Sequence, residues 1–197
     1  MRDKWYGDNR VLVKWGVLLA LAERYGPRHI LQVLYYRPTE WAQLTLDGEQ
    51  VPLPPAVIQH FRRVGAVLEL KAPVRIEVIS DTFVDRQRYH RAVIEQIRRR
   101  SVTPGIVFLD PDTGLQPQRP SLNHVLDREV ADLWCELKAG DLLVLYQHQT
   151  NRNAPSWIPD KKKQFARAIG LPIGSAKLGQ CEEIARDVVL FYAPKAG

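Results

Sequence analysis

Short apolar runs that alternate with longer amphipathic stretches are the feature that most constrains the fold of this chain. The runs "GIVFL" (105–109) and "LLVLY" (142–146) are continuously apolar, which is typical of strands buried on both faces of a sheet. Apolar residues recur at helical spacing in the stretches between such runs. This pattern predicts strands over 29–36, 74–80, 105–110, 141–148 and 186–193, and helices over 9–25, 85–100, 127–140 and 160–170.

This alternation predicts one α/β domain that spans residues 1–197. Strands that alternate with helices form a mostly parallel sheet with helices on both faces, so the expected fold is doubly wound and Rossmann-like. Residues 175–184 are expected to pair with the last strand as a C-terminal β-hairpin. Residues 37–73 carry several prolines, which indicate a hairpin or loop followed by a short helix.

The composition narrows the class of protein. The 197 residues are 45% hydrophobic and 25% charged, as in ordinary soluble domains. No apolar run approaches the roughly 20 residues that span a bilayer, and the charged opening "MRDKWYGDNR" does not resemble a secretion signal. A cytoplasmic protein with no membrane partner is therefore expected. Cys135 and Cys181 lack the spacing of a zinc site.

Positive charge is concentrated in the predicted helix 85–100. The chain has a formal net charge of +6, and this helix holds six arginines. A basic helix suits a polyanion such as nucleic acid, although a solvated helix face has the same composition. The residues predicted to contact nucleic acid are Arg86, Arg91, Arg98, Arg99 and, in a later loop, Arg152.

Polar side chains follow three of the predicted parallel strands. Asp81 follows the strand 74–80, Asp110 and Asp112 follow the strand from 105, and His148 closes the strand from 141. Ligands of open α/β sheets bind outside the carboxyl ends of the strands, so these groups are expected to converge. Each also has a structural explanation, because Asp and Pro-Asp-Thr-Gly runs are common in turns. A buried carboxylate at position 110 must be paired or metal-bound.

The second half of the chain resembles the carboxyl half of class I S-adenosylmethionine-dependent methyltransferases. The run "VFLDP" is similar to their fourth strand and catalytic loop, "DLLVLYQH" to their fifth strand, and "SAKLGQ…RDVVLFYAP" to their terminal β-hairpin. The opening "YGDNRVLVKWGVLLAL" resembles that of the adenine-N6 ribosomal-RNA methyltransferases. The sequence departs from the family in two places: no glycine follows the strand in "ILQVLYYRPTEW", and Asp110-Pro111-Asp112-Thr113 stands where the family has Asp-Pro-Pro-Tyr.

This resemblance implies a methyltransferase that uses S-adenosylmethionine and acts on nucleic acid. Asp110 would orient the target amine, with Asp112 and His148 as further catalytic candidates. Asp8, Asn9 and Lys14 would lie near the cofactor, and Asp81 would meet its ribose or adenine.

Two other hypotheses remain open at the level of the sequence. One is a nuclease or phosphodiesterase in which Asp81, Asp110 and Asp112 hold Mg²⁺ or Mn²⁺ and His148 activates water. The other is a non-catalytic nucleic-acid-binding protein that has kept the fold and lost the chemistry.

Overall fold

The computed structural model describes residues 8–38, 43–56, 64–100, 103–149 and 157–197. Within these residues the α-helices are α1 (Asn9–Tyr25), α2 (Arg86–Arg99), α3 (Asp127–Glu136), α4 (Trp157–Ala168) and α5 (Glu182–Ala185), and Val64–Glu69 forms a 3₁₀ helix. The strands are β1 (His29–Val33), β2 (Gln43–Leu46), β3 (Glu49–Pro52), β4 (Arg75–Ile79), β5 (Gly105–Leu109), β6 (Gly114–Leu115), β7 (His124–Val125), β8 (Leu142–His148), β9 (Lys177–Gly179) and β10 (Val188–Pro194). None of the described helices is long and apolar enough to cross a membrane.

A six-stranded sheet in the order β4-β1-β5-β8-β10-β9 organises the molecule. The first four strands are parallel, and β10 runs antiparallel to both of its neighbours. The predicted fold class, an α/β domain with a mostly parallel sheet, is therefore confirmed. The predicted C-terminal hairpin is present as β9 and β10, and residues 182–184 of the predicted segment 175–184 belong to α5.

Two separate hydrophobic cores cover the two faces of this sheet. The side chains of α2, α3 and α4 pack on one face, around residues such as Val93, Leu133 and Phe165. On the other face α1 packs through Val13, Trp15 and Leu18, together with the 3₁₀ helix. All five residues of β5 are buried, as continuous apolarity predicts for a strand covered on both sides.

Local sequence signals explain how the long helices begin. Asp8 caps α1, because its Oδ1 accepts hydrogen bonds from the backbone amides of Arg10 and Val11. Asp85 caps α2 in the same way, through the amide of Arg88. Gly26 ends α1 in the left-handed conformation, with φ of 73°.

Two helix boundaries differ clearly from those that the sequence predicts. The helix expected over 127–140 ends at Glu136, because Leu137 is extended and the Asp141 carboxylate accepts a hydrogen bond from the Lys138 amide. The helix expected from 160 begins at Trp157. In the segment 37–73, β2 and β3 form the expected hairpin, whose turn residues Asp47 and Gly48 both have positive φ.

Candidate functional site

A polar cavity of ≈ 1360 Å³ opens at the carboxyl ends of β5 and β8. Its walls are the start of α1, the loop 111–113 after β5, the end of β8 and the segment 182–187. We call this space the carboxyl-edge cavity. Five of the residues predicted from the sequence lie in its lining, namely Asp8, Asn9, Lys14, Asp112 and His148.

Asp110 lies at the base of this region and is fully buried. Its Oδ1 lies 2.6 Å from Lys14 Nζ, and its Oδ2 accepts a hydrogen bond of 2.8 Å from Gln32 Nε2. The sequence argument required a partner for this carboxylate, and the structure supplies one through Lys14 on α1. Asp110 therefore joins α1, β1 and the end of β5 and is not among the residues that line the cavity.

Lys14 lines the cavity from α1, and its ammonium group contacts both the Asp110 carboxylate and the Tyr146 ring. Its side chain is 6% exposed, and Nζ lies 4.0 Å from the centre of the Tyr146 ring as well as against Asp110. A cation over an aromatic ring is attracted to the ring's negative face, which adds to the ion pair.

The loop that carries Asp112 is fastened at both ends. Arg37 forms an ion pair with Asp112 and a hydrogen bond to Asn123. On the other side the buried Gln147 accepts a hydrogen bond from the Leu115 amide and donates one to the Thr113 carbonyl. Thus Pro111, Asp112 and Thr113 enter the cavity on a backbone that β8 holds in position.

A chain of charged groups crosses the cavity from β8 to α1. His148 Nε2 lies 3.2 Å from Asp187 Oδ2, which also accepts a hydrogen bond of 2.5 Å from Arg10 Nη2. Arg10 Nη1 lies 2.9 Å from Asp8 Oδ2. Burial lowers the pKa of His148, and the charge of Asp187 reverses part of this effect. Burial would raise the pKa of Asp187, but the hydrogen bond and charge of Arg10 outweigh it and lower the pKa.

The lowered pKa favours the neutral form of His148, which is the form that a general base needs. In that form Nε2 is placed to donate a hydrogen bond to Asp187. Nδ1 is then the nitrogen that can accept a proton.

Asp81 is not part of the carboxyl-edge cavity. It is exposed beside Thr82, which continues the pairing of β4 with β1 by bridging to Tyr36. Within the described part of the chain, no group of three or more His, Cys, Asp or Glu side chains is arranged to hold a metal ion. The predicted metal set of Asp81, Asp110 and Asp112 is thus not assembled, because Asp110 is paired with Lys14 and Asp112 with Arg37.

The turn after β1 is made without the glycine that the methyltransferase resemblance implies. Tyr35 has φ of 47°, in the left-handed region that glycine usually occupies. The centre of its buried ring lies 5.3 Å from that of Phe83 and 5.4 Å from that of Tyr89. Its backbone amide donates a hydrogen bond to the Tyr89 hydroxyl. Aromatic packing therefore holds a backbone turn that the sequence pattern did not reveal.

Three of the five arginines of α2 pair with carboxylates, two of them on α3 and one on α2 itself. Arg86 pairs with Glu129, Arg98 with Glu136, and Arg99 with Glu95 on α2 itself. Arg91 is exposed and has no ion pair among the described residues. Arg152 lies outside the described residues. The positive charge that the sequence assigns to this helix is thus balanced in part by nearby carboxylates.

Sequence reasoning missed several residues of this site. Gln32 and Gln147 each lie within an apolar strand, and a buried amide in such a run is a signal that could have found them. Arg10 and Asp187 are separated by 177 positions, so no local pattern links them.

Comparison with known proteins places few constraints on this chain. No family model matches it, and no curated protein matches it. Among solved structures, a candidate methyltransferase from Thermobifida fusca YX is similar, with 17% identity, a TM-score of 0.48, and coverage of 96% of this chain and 80% of that one. At this TM-score the similarity is too loose for an assignment, so the fold rests on the strand order of the chain itself. The comparisons give no support for the adenine-N6 ribosomal-RNA type.

Proposed function

We propose that this protein is an S-adenosylmethionine-dependent methyltransferase whose active site is the carboxyl-edge cavity. The observation that carries the proposal is the sheet order. It brings the loop 111–113, the end of β8 and the start of α1 to one cavity, and a C-terminal hairpin closes the sheet. This is the arrangement that the resemblance of "VFLDP", "DLLVLYQH" and the closing strands implies.

The charge of the cavity fits a cationic cofactor. Among the described lining residues the carboxylates outnumber the cationic side chains by five to three: Asp8, Asp112, Glu182, Glu183 and Asp187 against Arg10, Lys14 and Arg186. S-adenosylmethionine is a sulfonium cation that supplies the methyl group. Asp8 and Asn9 stand at the start of α1, where they would face it.

His148 is the base in this proposal. The acceptor's nitrogen or oxygen gains the methyl group and loses a proton, which Nδ1 of the neutral His148 takes up. Asp187, held by Arg10, steadies the imidazolium that forms. When bound, S-adenosylmethionine would supply the methyl group as a cation from its sulfonium sulfur, and His148 would keep the proton displaced from the acceptor, so charge and atoms would balance.

Calorimetric titration with S-adenosylmethionine tests the cofactor. We expect saturable binding that persists in Asp47→Asn, a conservative change at the tip of the β2–β3 hairpin. A flat titration at millimolar cofactor contradicts the proposal.

The variant His148→Gln tests the role of His148 as the base. In it we expect unchanged cofactor affinity and a turnover that falls by about 10²- to 10⁴-fold. Equal turnover in the variant and the parent would remove His148 from the mechanism.

Nucleic acid is the acceptor class that we propose. Support comes from the net charge of +6 and from the exposed Arg91 on α2. Transfer of labelled methyl groups to pools of RNA, DNA and protein identifies the acceptor. Label confined to protein contradicts the proposal that the acceptor is nucleic acid.

The salt dependence of binding tests the role of α2. We expect Arg91→Gln to weaken the binding of nucleic acid and to reduce the slope of log affinity against log salt concentration by about 1. Arg128→Gln, an exposed arginine on α3, is the matched control.

A further inference from the structure

A second, smaller pocket lies at the opposite edge of the sheet from the carboxyl-edge cavity. His29, Arg75 and Gly105 are paired in register at the amino ends of β1, β4 and β5. The end of α2 covers them, and a space of ≈ 230 Å³ remains between. Its polar lining consists of His29, Arg75, Glu77, Gln96, Arg99 and Arg100, and we call it the amino-edge pocket.

Two of these side chains are buried with unused hydrogen-bonding groups. The Arg100 side chain is 5% exposed, and its Nη2 pairs with Asp141. Its Nε and Nη1 have no hydrogen-bond partner among the described residues. His29 is 2% exposed, and both of its ring nitrogens lack a hydrogen-bond partner in that same set. Nε2 is 3.4 Å from Glu77 Oε2, an ion-pair distance without hydrogen-bond geometry.

Such groups are costly to bury unless something satisfies them. An unsatisfied buried donor costs on the order of 1–3 kcal/mol, and more if it is charged. The absence of a side chain at Gly105 makes this placement of Arg100 possible, because a Cβ there would lie 2.5 Å from Arg100 Nη1. The strand thus leaves room for a guanidinium whose remaining donors are unmatched.

The charge of the pocket selects an anion. Arg75, Arg99 and Arg100 are cationic, and Glu77, which pairs with Arg75, is the one carboxylate among the described lining residues. Asp141, behind the lining, pairs with Arg100 through Nη2 alone. Arg75 and Arg99 have side chains 71% and 76% exposed, so they can turn towards a ligand at the mouth. A planar guanidinium fork matches the oxygens of a phosphate group. Pockets for drug-sized ligands have volumes of about 300–1,000 Å³. The amino-edge pocket is smaller than this, so it suits a ligand as small as a phosphate group.

We propose that the amino-edge pocket binds a phosphate group, with Arg100 and His29 at its base and Arg75 and Arg99 at its mouth. The ligand is free phosphate or the phosphate of a small monoester. This site is separate from the carboxyl-edge cavity, and its existence does not depend on methyl transfer. A bound anion would also offset the burial that lowers the pKa of His29.

Titration of the full chain with inorganic phosphate, at ionic strength matched with sodium chloride, tests the proposal. We expect saturable calorimetric binding and a higher pKa of His29, followed by the NMR shifts of its ring protons. Arg75→Gln/Arg99→Gln is expected to raise the dissociation constant about tenfold or more, since two charged contacts are lost. The double variant Arg128→Gln/Arg167→Gln removes the same charge from exposed sites on other helices and is expected to change it less than about twofold.

Absence of saturable binding, or an equal loss in both double variants, overturns the proposal, because the second result means non-specific attraction. If ribose 5-phosphate binds more tightly than phosphate, the site takes a monoester. If the two bind equally, it takes free phosphate. None of these results depends on binding of S-adenosylmethionine, so this proposal and the proposed function fail separately.

Discussion

Lys14 and Asp110 form an ion pair almost wholly removed from water, with side chains 6% and 0% exposed. Removing one partner of such a pair leaves a buried charge without compensation. We expect Lys14→Met to lower the free energy of unfolding by about 3–5 kcal/mol in urea denaturation. The double variant Lys14→Met/Asp110→Asn is expected to recover part of that loss, because it no longer buries a lone carboxylate.

The matched control is Arg98→Met, which breaks a pair whose arginine side chain is 62% exposed. Exposed pairs contribute about 0–1 kcal/mol, so this variant is expected to be nearly as stable as the parent. Equal losses in Lys14→Met and Arg98→Met would show that burial does not decide the strength of these pairs.

Histidine burial sets a pH dependence of stability. Burial lowers the pKa of His29, His124 and His148 from the ordinary 6.5. As the pH falls below 6.5, the unfolded chain takes up protons before the folded protein does, so the free energy of unfolding decreases. This stability is fully present above the unfolded-state pKa and is lost towards the folded-state values.

Urea denaturation at a series of pH values between about 7.5 and 5 measures this loss. His148→Gln and His124→Gln are each expected to flatten the slope. The lowered pKa values of Asp187 and Glu136 act only below their ordinary 3.8 and 4.5, outside this window. Stability that rises as the pH falls from 7 to 5 would contradict the prediction.

At the scale of elements, the short strand β6 depends on a glycine. Gly114 has φ of 115°, and a Cβ there would overlap the Gln147 carboxamide that holds the Asp112 loop. We expect Gly114→Ala to destabilise the protein by about 1–3 kcal/mol, measured by thermal and urea unfolding.

Gly16 provides the opposite case within the same chain. It is exposed inside α1, and no atom lies within 4 Å of a Cβ built on it. Gly16→Ala is therefore expected to stabilise the protein by about 0.5–1 kcal/mol, because alanine loses less backbone entropy on folding. If both glycine variants shift stability in the same direction, the space around each glycine is not what decides the effect.

Across the whole molecule, stability is expected to be highest at the centre of the main sheet. Ile106–Leu109 in β5 and Leu142–Leu145 in β8 are 0% exposed, whereas the β2–β3 hairpin forms a separate two-stranded sheet with mostly exposed residues. In native-state hydrogen exchange, we expect the amides of β5 and β8 to exchange only through global unfolding and those of the hairpin to exchange far faster. Equal protection of the hairpin would contradict this order.

The sequence by itself determined the class of fold and the edge where polar groups gather. Continuous apolar runs such as 105–109 specify strands covered on both faces, and the polar residues after them mark the carboxyl edge. Asp112 and His148 could be placed at one site in this way, because parallel strands end at the same edge. Asp8, Asn9 and Lys14 are placed near it only by the resemblance of the opening stretch to a known family.

Only the tertiary structure decided what each charged group faces. Asp110 meets Lys14 across 96 positions, and His148 meets Asp187 across 39. Arg86 and Arg98 of α2 meet acids on α3. Local patterns record which residues are buried or capped, whereas ion pairs depend on which elements pack together. The amino-edge pocket has the same origin, since the register of three strands and the end of α2 bring His29 and Arg100 together.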